Sequence, residues 1–425
     1  MMKSKKSVFS HATGRNARVL IRALLVGFFA FDRQARAQSV LAPGPQPPDT
    51  TPSAVQQVNE MDVFATPPQH ETEPFKLGPV TVRPHPYYQF LSADGLQSST
   101  NQAVSTTIQM ISPGALIEIG SHWTLDYSPL WTLYSNNQFS DNFGQTANLV
   151  GGTTYNDWRL GLVQSYTDSS SPSSVTGGQT RMETLSTALN GSYTMNSKMS
   201  LDLSLDQNYV TADQFSSYTE WSTMDWLTYQ FWPRLSAAAG AGGGYDDEAA
   251  SPDMTFQQVE GRVSWRATDK IGFQLHGGVE VRQFLSGGAP PLVNPIFEGT
   301  IQYKPFEQTR ISITGQRIVA SSFLQDQLTE TTGVNAALKQ RLLGRLFLDL
   351  TGGYQLVKYV SSGNTTNPGS PNREDDLYTF NAQLSRSFLK RGNIAVLYQL
   401  SKDNSSAPGY SFTSHQVGFR IGFSY

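Results

Sequence analysis

Apolar and polar residues alternate one by one along most of the chain beyond residue 86, and this two-residue period limits the fold more than any other feature. In the segment 123–133, Trp, Leu, Tyr, Pro, Trp and Leu hold the odd positions, and Thr, Asp, Ser and Thr hold most of the even ones. The pattern returns at 201–206, 271–281, 346–354, 394–400 and 417–425. Successive side chains of a β-strand point to opposite faces. Each segment therefore predicts a strand with one apolar and one polar face.

Strand length and loop asymmetry favour a membrane barrel over a soluble β-sandwich, which also alternates. Many runs extend over about ten residues, longer than ordinary globular strands and matched to a tilted bilayer crossing. Short turns and longer polar loops also follow one another strictly. The turns fall near residues 120, 156, 196, 232, 268, 305, 343 and 390, and the loops near 96–101, 135–141, 168–179, 211–217, 246–253, 286–291, 321–330, 361–375 and 402–410. The prediction is an all-β, antiparallel, up-and-down transmembrane barrel of about 18 strands with both termini on the turn side.

Aromatic residues flank almost every short turn, as expected at a lipid headgroup layer. They are Trp123, Tyr155, Trp158, Tyr193, Phe231, Trp232, Trp265, Tyr303, Phe306 and Phe388. A soluble sandwich would instead concentrate aromatic residues in mid-strand. The sequence ends in Phe423-Ser424-Tyr425, and this aromatic terminus resembles the signal read by outer-membrane assembly machinery. We therefore expect Tyr425 to engage that machinery and the barrel wall to contact outer-membrane lipid.

Composition removes several classes of function. Charged residues make up 15% of the chain and aromatic residues 11%, too little charge for an ordinary soluble surface. A net charge of −3 leaves no basic footprint for nucleic acid. Because the chain contains no cysteine, disulfides, thiolate metal sites and thiol nucleophiles are all absent.

The first 84 residues predict two segments ahead of a barrel over 85–425. A basic stretch, an apolar run from Ala23 to Phe31 and the small-x-small triplet Ala35-Arg36-Ala37 predict a signal peptide over 1–37. The alternative, a signal anchor, is disfavoured because about nine apolar residues are too few to cross a bilayer. Residues 38–84 are rich in proline and predict a disordered periplasmic linker. Within it, the extended stretch Met61–Thr66 has the pattern of a segment that docks onto a partner by strand addition, but the surrounding prolines favour a disordered linker.

Four stretches of the sequence resemble the β-barrel porin type 2 family of outer-membrane proteins. They are residues 75–88 (FKLGPVTVRPHPYY), 122–127 (HWTLDY), 196–203 (NSKMSLDL) and 220–226 (EWSTMDW). The similarity covers the chain from about Leu77 to Tyr425. It implies a barrel in the outer membrane and, because some members accompany exopolysaccharide production, contact with a polymer. The resemblance brings no catalytic motif with it.

A barrel of about 18 strands encloses a lumen wide enough for water and small solutes. Charged residues on the inward register are the candidate lining: Glu260, Arg262, His276, Glu280, Arg282, Glu298, Arg310, Asp349 and Arg420. Both signs occur among them, so strong ion selectivity does not follow. The sequence predicts a passive aqueous pore for small solutes or sugars. The alternative is a non-conducting accessory or scaffold barrel for exopolysaccharide export or surface attachment, and the oligomeric state is open.

No enzyme, metal site or cofactor is predicted. His70 and His85 fall in or beside the linker, His122 at a turn, His276 in the lumen and His415 near the loop-side rim. None of these histidines belongs to a recognisable nucleophile motif, and no metal-ligand spacing occurs. The glycines from 240 to 244 lack the strand-turn-helix context of a phosphate loop, so they favour a bend or a close approach in the wall.

Overall fold

The computed structural model describes residues 75–98, 103–173, 176–249, 251–286, 290–322, 324, 327–361, 373–389 and 391–424. Nineteen strands make up this part of the chain. Among the described residues, no helix has the length and apolar character needed to cross a membrane.

The strands follow one another in chain order. Their bounds are β1 Phe75–Leu77, β2 Val80–Gln97, β3 Ala103–Ile119, β4 Trp123–Tyr134, β5 Asn142–Tyr155, β6 Trp158–Ser173, β7 Gly178–Asn196, β8 Met199–Ala212, β9 Tyr218–Trp232, β10 Leu235–Glu248, β11 Met254–Trp265, β12 Ile271–Phe284, β13 Leu292–Phe306, β14 Thr309–Ser321, β15 Gln327–Leu342, β16 Leu346–Ser361, β17 Glu374–Phe388, β18 Gly392–Ser405 and β19 Phe412–Phe423.

Each strand from β2 onward pairs antiparallel with the strand before and after it, and the last strand closes the ring. β19 pairs with β2 from His415 opposite Asp94 to Gly422 opposite Tyr87. The result is a closed antiparallel barrel of 18 strands, β2 to β19, and this confirms the predicted fold class. The three-residue β1 lies outside the count because it pairs only with the first residues of β2.

The two ends of the barrel differ in the length of their connections. Eight connections of two to five residues lie at one end, called the short-turn end, and nine connections of four to twelve residues lie at the other, called the loop end. The predicted strict alternation of short turns and longer loops fails where five residues join β11 to β12 and four residues join β6 to β7. The turn expected near residue 305 lies two residues later, at 307–308. The segment 168–179, expected to be a loop, is mostly strand, since β6 runs to Ser173 and β7 begins at Gly178. These strand ends are polar on both faces, which removes the alternation and makes them look like loop in the sequence.

The barrel begins earlier than the predicted boundary at residue 85. β2 starts at Val80 and includes Pro84 and Pro86, which stand opposite Ala115 and Pro113 in the register. Proline predicts a linker because it cannot donate a backbone hydrogen bond, but a strand tolerates it where that donor is not needed. The predicted signal peptide, residues 38–74 and Tyr425 lie outside the described residues.

The two faces of the wall have opposite character. The outward face carries apolar side chains that nothing in the chain covers, such as Val259, which is 68% exposed, and Trp131, which is 43% exposed. Aromatic residues also stand exposed at the short-turn end, including Tyr155, Trp232 and Phe306. The inward face carries the polar partners of the alternation, so the register turns the charged candidates toward the lumen.

Candidate functional site

His276 on β12 lies between two carboxylates on the strands that flank it. Its Nδ1 is 2.9 Å from Glu260 Oε2 on β11, and its Nε2 is 3.6 Å from Glu298 Oε2 on β13. The pairing of β12 with β13 puts His276 directly opposite Glu298. All three side chains alternate along their strands with exposed apolar residues such as Val259 and Leu275, so they share the other face of the wall.

Arg262 extends this group across β10 to β8. Its Nη2 donates to Asp202 Oδ2 and to Thr228 Oγ1, both at 3.2 Å, and its guanidinium lies 4.5 Å from the ring centre of Trp226. The reach is possible because the lumen face of β10 carries only small residues here. A Cβ on Gly240 would lie 2.6 Å from Cε3 of Trp226, so the indole needs glycine beneath it.

We call Asp202, Glu260, Arg262, His276 and Glu298 the central cluster. The Asp202 side chain is 36% exposed, that of His276 28% and that of Arg262 27%, although all face inward. Water therefore reaches the front of this cluster from the lumen. Three carboxylates stand against one guanidinium and one imidazole, so the cluster offers a solute both hydrogen-bond donors and acceptors with an excess of acid.

A second charged group, which we call the outer cluster, lies nearer the loop end and is sealed. Arg282 donates from Nη1 to Asp246 Oδ2 at 3.0 Å and from Nε to Glu280 Oε1 at 2.9 Å. Ser321 donates to Asp246, and the ring of Phe256 stacks 4.7 Å from the guanidinium. The side chains of Arg282 and Asp246 are 1% and 0% exposed. A solute cannot reach these charges without moving the residues in front of them.

The remaining three predicted residues stand apart from both clusters. Arg310 on β14 is opposite Lys339 on β15, which is opposite Asp349 on β16. Arg420 on β19 donates to Gln89 Oε1 at 2.7 Å and lies over the ring of Tyr87. The nine candidates therefore do not form one site: four belong to the central cluster, two to the outer cluster, and three on β14, β16 and β19 belong to neither.

His85 occupies a different place from the one expected in or beside the linker. It is on β2, and its Nε2 lies 3.3 Å from Asp126 Oδ2 on β4. Arg83, two residues earlier, donates to Glu118 at 3.3 Å. The lumen near the short-turn end thus carries two further charged pairs that the predicted boundary had placed partly outside the barrel.

Sequence reasoning missed an apolar cluster inside the lumen. It consists of Leu91, Ala93, Leu96, Ile108, Phe139, Ala395 and Leu397. Phe139 comes from the loop between β4 and β5, so this loop turns inward. Cα atoms of β2 and β6, which do not pair, also approach within 8 Å. Two doublets that break the alternation, Phe90-Leu91 and Val396-Leu397, are the sequence signal that could have revealed the cluster.

Another arginine lies at the loop end, just before β17. The Arg373 guanidinium is 4.7 Å from the ring centre of Tyr359 and 3.8 Å from that of Tyr410, and its Nε donates to Asp375 at 2.9 Å. Burial lowers the pKa of Arg373, but the hydrogen bond and charge of Asp375 outweigh it and raise the pKa above its ordinary value. Arg373 therefore stays charged and ties the loop before β17 to the loop before β19.

Within the described residues, no group of three or more His, Asp or Glu side chains has an arrangement that could hold a metal ion. In the central cluster, the two ring nitrogens of His276 already face Glu260 and Glu298. The geometry accordingly indicates a polar lining surface.

Comparison with known proteins gives similarity of structure only. No family model matches the chain, and no curated protein matches its sequence, so the resemblance to the β-barrel porin type 2 family stays a prediction. OpdO of Pseudomonas aeruginosa matches 81% of this chain and 97% of its own at 10% identity and a TM-score of 0.44. OccK2 (OpdF) of the same organism matches 81% and 98% at 9% identity and 0.45. Because these TM-scores are below 0.5, the function must be argued from the geometry of the chain itself.

Proposed function

We propose that this protein is an outer-membrane barrel that forms a passive aqueous pore for small hydrophilic solutes, sugars included. The observation that carries the proposal is the closed ring of 18 strands with the water-accessible central cluster on its inner wall. With strands about 4.8 Å apart and tilted by about 40°, such a ring has a backbone diameter of about 35 Å. A ring of this width accommodates water and small solutes between its inward side chains.

The outward face supports the membrane location. On β9, the exposed residues Trp221 and Phe231 are ten positions apart, and at about 2.5 Å of height per tilted residue they bracket an apolar band of about 25 Å. Aromatic residues at both edges of such a band are typical of the two headgroup layers. We propose that the short-turn end faces the periplasm and that residues 1–37 direct secretion.

The chemistry of the central cluster indicates weak selectivity. Its excess of carboxylates favours cations over anions of equal size, while Arg262 prevents a purely acidic ring. Hydroxyl-rich solutes can exchange hydrogen bonds with both kinds of group. No reaction is assigned to these residues, and the protein is proposed to be a channel and not an enzyme.

The apolar cluster supports a second candidate, an accessory barrel that does not conduct and holds an exported polysaccharide at the surface. Phe139 and Leu91, 4% and 1% exposed, narrow the lumen on the loop side. A passage closed there would leave a polar cup open only to the short-turn end.

Planar-bilayer recording of the refolded chain from residue 38 distinguishes the two candidates. Stepwise ohmic currents support the pore, and a dose-dependent block by oligosaccharides identifies sugars as solutes. A folded barrel, verified by heat-modifiable migration on a gel, that passes no current contradicts the pore and favours the accessory barrel. Fractionation of the producing cells tests the location independently, since a barrel outside the outer-membrane fraction contradicts both candidates.

A further inference from the structure

Two neighbouring turns at the short-turn end each carry an exposed leucine at the tip. Leu343, between β15 and β16, is 95% exposed, and Leu389, between β17 and β18, is 82% exposed. Both leucines also have a positive φ, 43° and 53°. A side chain with a Cβ is strained in this left-handed region, so glycine or asparagine is the usual residue there. Two strained leucines side by side indicate an apolar contact that covers both tips.

Two arginines lie beside the leucines. Arg345 follows Leu343 in its turn, and Arg386 on β17 stands opposite Leu346 on β16, between the two turns. Both arginines are exposed. Among the described residues, no carboxylate forms a salt bridge with either of them. We call Leu343, Arg345, Arg386 and Leu389 the turn patch, and it fits a partner that is both apolar and acidic.

The chain upstream of β1 enters the barrel beside the turn patch. β3 pairs with β2 from Val80 to Gln97, so β1 and β19 must share the other edge of β2. On that edge β19 reaches down to Tyr87, and Phe75 of β1 stands opposite Val82. Because β1 is antiparallel to β2, the chain before Phe75 points toward the end of β19.

An apolar groove lies where the chain enters and continues to the turn patch. Tyr88 on β2, Ile421 and Phe423 on β19 and Phe388 on β17 line it, and Phe388 directly precedes Leu389. The far side of the patch is three to four strand spacings from β1, or about 20 Å for tilted strands about 4.8 Å apart. The nine residues 66–74 can span about 30 Å. Residues just before them therefore reach the whole patch.

The sequence upstream of β1 has the complementary chemistry. Residues 38–74 contain five acidic residues and no lysine or arginine. Within them, the stretch 60–66 (EMDVFAT) combines the acids Glu60 and Asp62 with three apolar residues, Met, Val and Phe. The covalent link holds this stretch near the patch at a concentration on the order of 1 mM, so weak contacts suffice.

We propose that residues 60–66 dock on the turn patch of the same chain, with their apolar side chains against the two leucines and their carboxylates against the two arginines. The occupant is this stretch because the chain leaves β1 beside the patch, carries the opposite charge and is long enough to reach. The inference goes beyond the proposed pore, since the contact does not depend on conduction.

Photo-cross-linking of the full chain in cell membranes identifies the occupant. The probe p-benzoylphenylalanine replaces Leu389, heat-modifiable migration verifies folding, and mass spectrometry of the cross-linked peptides shows what the probe captures. We expect capture of residues 60–66 within the same chain. Capture of lipid, of another protein or of nothing overturns the proposal.

The matched control places the same probe at Trp232. This residue is also apolar and 65% exposed at a short turn, but it lies on β9, seven strands along the wall from β2. Its neighbour Arg234 is already paired with Asp269. We expect no capture of residues 60–66 from this position, and equal capture from both positions contradicts a specific contact.

Charge variants in the chain that carries the probe at Leu389 test the ion pairs. We expect Glu60→Gln/Asp62→Asn to reduce capture at least about fivefold, because it removes both carboxylates from the stretch. Asp49→Asn/Glu73→Gln removes two acids outside the stretch and should keep at least about half of the capture. Unchanged capture in the first variant, or equal loss in both, overturns the proposal. Bilayer currents separate the two proposals, since a silent barrel with the cross-link overturns only the pore and a conducting barrel without it overturns only the docking.

Discussion

The central and outer clusters have nearly the same chemistry but very different surroundings. Each places an arginine beside carboxylates from other strands of the same stretch of wall. The Arg262 side chain is 27% exposed and that of Arg282 only 1%. Met254 and Leu328, both fully buried, lie in the same loop-side part of the barrel as Arg282, whereas the Arg262 side chain stays in contact with water.

This difference assigns the two clusters different roles. A salt bridge in contact with water contributes little to stability but remains available to a solute. A buried salt bridge contributes to the specificity of the fold. Removal of either partner lowers the stability of the fold, because the remaining charge cannot be solvated. We therefore interpret the outer cluster as a clamp that holds β10, β12 and β14 together and the central cluster as the surface that a solute meets.

The largest effect should come from breaking the clamp. Arg282→Met leaves Asp246 and Glu280 buried without their cation, and we expect it to lower the free energy of unfolding by about 3–5 kcal/mol. Urea unfolding of the barrel in detergent, followed by heat-modifiable migration, measures the change. Arg262→Met is the matched control and should cost less than about 1 kcal/mol. Equal losses of unfolding free energy in Arg282→Met and Arg262→Met would contradict the different roles assigned to the two clusters.

A glycine between the two clusters should show an intermediate effect. Gly278 separates His276 from Glu280 on β12, and a Cβ there would overlap the backbone carbonyl oxygen of Val259. We expect Gly278→Ala to force β11 and β12 apart and cost about 1–3 kcal/mol. In Gly261→Ala the new Cβ meets nothing within 4 Å, so this control should be neutral or slightly stabilising. The same urea-unfolding assay measures both variants. An unchanged free energy of unfolding in Gly278→Ala would show that β11 and β12 are not tightly packed at this point.

Ion selectivity should respond only at the central cluster. Arg262→Gln removes the guanidinium that offsets Asp202, so the lumen becomes more acidic where water reaches it. We expect the cation-to-anion permeability ratio to rise about two- to threefold, as measured by the reversal potential in a salt gradient. Lys358→Gln, at an ion pair on β16 and β17 outside the cluster, is the control and should leave the reversal potential unchanged. An unchanged potential in Arg262→Gln would mean that permeating ions do not pass the central cluster.

The smallest effect should appear at the apolar cluster on the loop side. Phe139→Ala removes the ring that the loop between β4 and β5 places against Leu91 and Leu397. Because the passage widens there, we expect single-channel conductance to rise by about a third to a half with selectivity unchanged. Leu133→Ala, an exposed outward residue on the same hairpin, is the control. A fall in conductance would show that Phe139 holds the passage open.

The number of strands and most of the alternation of turns and loops could be predicted because both are encoded locally. Runs such as 123–133 have a period set by the backbone itself, and turn residues such as Asn156, which adopts a φ of 51°, separate them. The start of β2 at Val80 and the strand ends at Ser173 and Gly178 could not be predicted. Proline-containing segments and segments that are polar on both faces show no alternation of apolar and polar residues.

The candidate site could be predicted only as a set of inward residues. The alternation along β11 and β12 assigns Glu260, Arg262 and His276 to the lumen face. No local pattern distinguishes these residues from Glu280 and Arg282, which the alternation along β12 assigns to the same face. The apolar lumen residues Leu91 and Leu397 were missed for a related reason: the expectation of a polar interior was applied to every inward position.

By itself, the sequence determined that the chain forms strands with one apolar and one polar face and that about 18 of them form an up-and-down barrel, since both follow from the period of side chains along a strand. The tertiary structure decided which inward charges meet water and which are sealed. Those properties depend on what neighbouring strands bring to the same place: small residues on β10 let Arg262 reach Asp202, and Phe256 closes over Arg282. Such neighbours are distant along the chain, so only the register of the closed sheet brings them together.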